Sequence, residues 1–279
     1  MKLLNNISIE GSKDKPILLD ICYKETHEPK PIVIFVHGFK GFKDWGHFNL
    51  LAKTAAQQGF VFIKFNFSYN GTTPENPMEF GDLEAFGNNN YTIELNDLEK
   101  VMDWVLNNAS INKEINTEEL YLIGHSRGGG ISVLKAGEDK RVKKLVTWAA
   151  VSDFINRNKK RTVDTWHEQG VVYTFNMRTE QQMPLYLQFY ENLQANRERL
   201  NILKAARSLT IPFLIIHGTK DAAVDLKDAE ELHKACKHSE LLVVGDTGHT
   251  FDVKHPFNDS VFPENAEFVI QKTFDFLKE

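Results

Sequence analysis

The pentapeptide Gly124-His125-Ser126-Arg127-Gly128 sets a serine between small residues, directly after an apolar run at 120–123 and ahead of a helical pattern at 127–137. A Gly-x-Ser-x-Gly turn between strand and helix, a nucleophile elbow, strains the serine and projects its hydroxyl above a sheet. A serine hydroxyl attacks a carbonyl at neutral pH only with a base beside it, and the base needs an acid to fix its tautomer. Two later segments offer both. His217-Gly218-Thr219-Lys220-Asp221 follows the apolar run at 213–216, and Gly245-Asp246-Thr247-Gly248-His249 follows the run at 241–244. The order Ser126, Asp221, His249 is the order expected of a catalytic triad built on such a turn. Acyl transfer also develops an oxyanion, which needs fixed donors. The backbone N–H of Arg127 is one expected member of this oxyanion hole. The amide of Phe39, in His37-Gly38-Phe39-Lys40-Gly41 after the run at 32–36, is the other.

Other residues compete for these roles. His37, His125 and His217 stand at expected strand ends and read as core or turn histidines. Asp225 falls where the next helix should begin and reads as its N-cap. Asp246 is placed to hydrogen-bond its own turn, and His255 stands against Pro256. Other chemistries lack their signatures: there is no G-x-G-x-x-G, no G-x-x-x-x-G-K-[ST] and no H-E-x-x-H. No metal is expected. Cys22 and Cys236 are too few for a disulfide framework and have no metal-ligand spacing.

The elements that must position these residues follow from periodicity. Short apolar runs at 32–36, 61–67, 120–123, 145–149, 213–216 and 241–244 read as strands buried on both faces, because a half-exposed strand would alternate. Ile93, Leu98, Val101, Met102, Val105 and Leu106 lie at helical spacing, and 48–58, 127–137, 226–236 and 264–277 carry weaker helical patterns. Residues 7–10 and 17–23 look like an antiparallel pair. The alternation implies an α/β fold with a mostly parallel sheet and helices on both faces, in one domain spanning 1–279. The interval 153–208 breaks the rhythm. It has no convincing buried strand and reads as a helical cap over the carboxyl ends of the strands, where ligands bind in open α/β sheets.

From His37-Gly38 through Gly-His-Ser-Arg-Gly and His-Gly-Thr-Lys-Asp to Gly-His249, the chain resembles the α/β-hydrolase superfamily. Within it the chain is similar to single-domain serine esterases and acyl-peptidase-like hydrolases with a short helical cap, dienelactone-hydrolase-like and cinnamoyl-esterase-like members included. The likeness covers nearly all of 17–277, with the insertion loosely matched. It implies an eight-stranded sheet and no metal or organic cofactor. Arginine after the serine is more like the acyl-peptidase-like branch than simple lipases, so ester and amide substrates both remain open. So does a non-catalytic ligand-binding role on the same fold, although no triad residue is missing.

Thirty-three Lys and Arg against 38 Asp and Glu leave a net charge of −5, which argues against a general polyanion-binding surface. No apolar run is long enough to span a bilayer, and the first dozen residues lack a signal-peptide core. The expectation is a cytoplasmic protein acting on a small-molecule ester or acyl substrate, without nucleic-acid or membrane partners, and either monomeric or homodimeric. Trp166, Tyr173 and Phe175 in the insertion, with Tyr69, are the expected substrate contacts. Arg157, Lys159, Lys160 and Arg161 read as a solvated face.

Overall fold

A computed structural model describes residues 1–108 and 110–279. Among the described residues ten strands run in the order β1 (Lys2–Glu10), β2 (Pro16–Tyr23), β3 (Lys30–Val36), β4 (Val61–Asn66), β5 (Ile115–His125), β6 (Val142–Trp148), β7 (Val171–Asn176), β8 (Gln181–Tyr186), β9 (Phe213–Gly218) and β10 (Ser239–Val244). Interspersed with them are α1 (Phe48–Gln57), α2 (Leu83–Gly87), α3 (Tyr91–Leu106), α4 (Arg127–Glu138), α5 (Lys160–Gln169), α6 (Leu187–Ala195), α7 (Ile202–Ser208), α8 (Leu226–Ala235) and α9 (Glu264–Lys278). Eight strands form one sheet in the order β1-β2-β4-β3-β5-β6-β9-β10. β1 pairs antiparallel with β2, and β2 antiparallel with β4. Every other pairing in this sheet is parallel.

The central strands are apolar at successive positions because each face has its own helical layer. Ile32, Ile34 and Val36 of β3, with Leu120 and Leu122 of β5, face one core, which is closed by α3, α4, α7 and α8. Val33 and Phe35, with Tyr121 and Ile123, face the other, which is closed by α1 and α9. Parallel strands covered on both faces by crossover helices have this pattern. On β4 the alternation is broken by Lys64, which is buried. Its ammonium pairs with Asp20 at 2.5 Å and with Asp44, and Lys43 pairs with the same two carboxylates at 2.8 and 2.6 Å. The four charges compensate one another, as burial requires, and they tie the segment after β3 to the sheet.

Two expectations are corrected. The run at 241–244 is not covered on both faces: β10 is the outermost strand, and Val243 is 43% exposed. The insertion is not wholly helical, since β7 and β8 form an antiparallel hairpin from Val171↔Tyr186 to Asn176↔Gln181. Its exposed Tyr173 and Phe175 and interrupted apolar pattern hide it from a search for buried strands. The α3 stripe also divides. Leu98, Val101, Met102 and Val105 join the main core with Leu95, whereas Ile93 packs separately with Tyr69 and Ala85.

Candidate active site

Ser126 stands between the end of β5 and the first turn of α4, with φ 57° and ψ −121°. Residues with a side chain seldom adopt this backbone, and it marks a functional turn when the surroundings enforce it. They do so here. The Ser126 N–H donates to the Trp148 carbonyl at 2.9 Å, and its own carbonyl accepts from Gly129 N–H at 3.0 Å. Glycine is required at 128, where a Cβ would lie 2.3 Å from the Val36 carbonyl oxygen. At Gly38 a Cβ would lie 2.9 Å from Ser126 Cβ. Two glycines therefore bring the loop after β3 against the serine. The N–H groups of Phe39 and Arg127 donate to no protein acceptor among the described residues, so both remain available to an anion.

Asp221 and His249 come from the turns after β9 and β10, adjacent parallel strands that present both at one sheet edge. His249 Nδ1–H donates to Asp221 Oδ2 at 2.7 Å. Asp221 Oδ1 accepts from the Ala223 and Val224 amides at 2.8 and 2.9 Å, and His217 Nε2 lies 3.3 Å from Oδ2. Burial alone would raise the Asp221 carboxyl. The hydrogen bonds from His217, His249 and the Val224 amide outweigh it and hold the carboxyl far below the usual carboxylate range. Pairing through Nδ1 leaves His249 Nε2 for proton transfer, a tautomer assigned from its partner. His125 Nε2–H donates to the His249 carbonyl at 2.9 Å. Burial, assisted by the neighbouring His249, pushes His125 down to about 3, so His125 acts as a neutral strut.

Ser126 and His249 line one pocket of about 150 Å³ with Phe39, Trp45, Phe48 and His125. No hydrogen bond joins the serine hydroxyl to the imidazole among the described residues; such contacts often tighten only in the substrate complex. The Arg127 guanidinium lies 3.9 Å from the Phe39 ring centroid, and its Nη1–H donates to Glu94 Oε1 at 3.3 Å. Asn89 donates to the same oxygen at 2.8 Å. Glu94 is buried, which pushes its carboxyl up against the opposing pull of Arg127. Among the described residues no cluster of His, Cys, Asp and Glu side chains is arranged to hold a metal.

The competing residues have other occupations. Asp225 caps α8, accepting from the Lys227 amide at 2.9 Å. Asp246 does not bond its own turn through its carboxylate, which pairs with Lys220 at 2.8 Å. His255 Nδ1 accepts from Gly46 N–H at 2.9 Å. None of the expected substrate contacts lines the serine pocket. Trp166 is buried, donating to the Leu185 carbonyl at 2.7 Å, and with Tyr173 it lines a second cavity. Phe175 is 44% exposed. Tyr69 is buried, its hydroxyl 3.5 Å from the Lys13 carbonyl. Aromatic residues spaced along a chain carry no sign of which surface they cover. Trp45, Phe48 and Glu94 were not foreseen as site residues. His217, read as a turn histidine, touches the acid, and only its i, i+4 spacing to Asp221 hinted at that.

A sheet of this order with a strained serine after a central strand defines the class, and residues 88–253 match the model of the family described as alpha/beta hydrolase fold. The chain belongs to that family. No curated protein matches it in sequence. Among solved structures it is similar to Est1E from Butyrivibrio proteoclasticus, at 16% identity and TM-score 0.72, covering 99% of this chain and 98% of that one. Est1E with bound ferulic acid matches at 15% identity and TM-score 0.73, covering 98% of each chain. An esterase domain from Rhodothermus marinus matches at 19% identity and TM-score 0.65, over 99% of this chain and 98% of that one. At these identities the likeness is one of fold. No helix among the described residues is long and apolar enough to cross a membrane.

Proposed function

We propose that the protein is a serine hydrolase that cleaves small-molecule carboxylic esters of a small or aromatic acyl group through Ser126, His249 and Asp221. The observation that carries this reading is the Asp221–His249 hydrogen bond at 2.7 Å, with the carboxylate buried and the imidazole partly exposed, and with His249 lining the same pocket as a serine of strained backbone. His249 Nε2 takes the Ser126 proton as Oγ attacks the ester carbonyl. The Phe39 and Arg127 amides hold the oxyanion. His249 then protonates the departing alkoxide, and water repeats the cycle on the acyl-enzyme. Asp221 orients the imidazole and stabilises its cation without taking the proton. The pocket's volume of about 150 Å³ supports a small group beside Ser126.

Labelling with a fluorophosphonate tests the nucleophile. Ser126 should be the modified residue, and Ser126→Ala should lower turnover at least about a thousandfold, because such residues act as a unit. A variant nearly as fast as the native enzyme would reject the assignment. A panel of p-nitrophenyl acyl esters beside aminoacyl anilides tests the bond. Esters should be preferred, and a preference for anilides of about tenfold or more would transfer the reading to amide hydrolysis.

A further inference from the structure

An open cavity of about 530 Å³ lies at the cap, between α5, β7, α6 and the first turns of α3 and α4. Three guanidinium groups line it, those of Arg127, Arg157 and Arg161, and no Asp or Glu does. In a chain with an excess of acidic residues, a lining with three cations and no carboxylate of its own marks a local reversal of charge. The cations are only partly spent. Arg127 uses Nη1 on Glu94 at 3.3 Å, and Arg157 uses Nη1 on Asp228 at 2.7 Å. Arg161 has no carboxylate partner among the described residues. A guanidinium has five N–H donors, so most of them are available to a ligand. Tyr91, Trp166, Val172 and Phe189 supply apolar surface beside them.

The cavity adjoins the chemistry. Arg127 directly follows Ser126, and its guanidinium lies 3.9 Å from the Phe39 ring. Phe39 lines the serine pocket while Arg127 lines the larger cavity. The stacked pair is therefore a wall common to both.

We infer that this cavity holds the alcohol part of the substrate, and that this part carries an anionic oxygen group, a carboxylate or a phosphate, received by Arg161, Arg157 and Arg127. The inference rests on the ester reading above. The small pocket takes the acyl group, the scissile bond lies at Ser126, and the departing alcohol extends past Phe39 toward the arginines. Planar forks of donors match carboxylate and phosphate oxygens. The exposed positions of Arg157 and Arg161 agree with the solvated face expected from sequence, but these two also turn toward a cavity.

The test compares 4-carboxyphenyl butyrate and 4-(phosphonooxy)phenyl butyrate with the neutral 4-carbamoylphenyl butyrate. The ratio of kcat/KM, anionic over neutral, should exceed about 10 and fall about 10- to 100-fold in Arg161→Ala, as for loss of a charged hydrogen bond. Arg161→Lys should restore part of it. The larger of the two anionic ratios identifies the group. Calorimetry on Ser126→Ala with benzoate, phenyl phosphate and benzamide separates this inference from the ester reading. Binding of either anion at least about tenfold tighter than benzamide, weakened by Arg161→Ala, supports the cavity even if no ester is cleaved. A ratio near one together with equal binding of anion and amide overturns it.

Discussion

Two aspartates four residues apart have different work, and substitution separates them. Asp221 is buried against His249 and His217, whereas Asp225 caps a helix at the surface. Asp221→Asn should leave the imidazole in the wrong tautomer and lower kcat by about 10²- to 10⁴-fold, with little change in fold. Asp225→Ala should cost about 1 kcal/mol of stability and leave kcat as it was. Steady-state kinetics and urea unfolding on both variants check the contrast; a large kcat loss in the Asp225 variant would mean that the acid has been misassigned. In sequence both carboxylates follow the same run; cap spacing marked Asp225, and it does cap α8. The contact from His217 was not legible, because the bond at 3.3 Å depends on how the turn after β9 closes.

The junction of β5 and α4 governs the site at the scale of elements. α4 reaches the sheet edge because Gly128 carries no side chain; a Cβ there would sit 2.3 and 2.4 Å from the Val36 and His37 carbonyl oxygens. Gly128→Ala must push α4 from the end of β3, moving Arg127 relative to Phe39. The expected outcome is about 1–3 kcal/mol of destabilisation, as for overpacking, and a fall in kcat. Urea unfolding and ester turnover measure both, and native values of each would show that the close approach does not matter. The glycines were visible in the motif, but not the atoms they make room for. The hairpin of β7 and β8 escaped the same reading because strands that bury little surface leave a weak periodic signal.

Across the whole molecule, buried imidazoles set the response to acid. Burial pushes His37 and His47 down to about 4 and His125 to about 3. Each has a depressed folded-state pKa, so between the unfolded value of about 6.5 and the folded one the unfolded chain binds more protons, and stability falls as pH falls. For His37 and His47 the full shift corresponds to about 3 kcal/mol each. Glu94 and Asp97, raised by burial, work in the opposite sense, while His255, also lowered by burial, adds to the imidazoles. The urea midpoint should therefore be lower at pH 5 than at pH 7. A midpoint that is unchanged or higher at pH 5 would overturn the reading that the buried imidazoles dominate the response to acid.

The amino-acid sequence by itself determined the local chemistry: a serine on a glycine-flanked turn, an aspartate and a histidine after later strands, and the alternation of strands and helices. Each of these depends on near neighbours in the chain, through periodicity, turn geometry and motif spacing. Only the tertiary structure decided which side chains surround the serine, that Trp45 and Phe48 line its pocket while Trp166 and Tyr173 line another, and that Arg127, Arg157 and Arg161 share one cavity. Those relations join residues far apart in the chain, and packing in three dimensions, which no local pattern encodes, selects among the partners that composition permits.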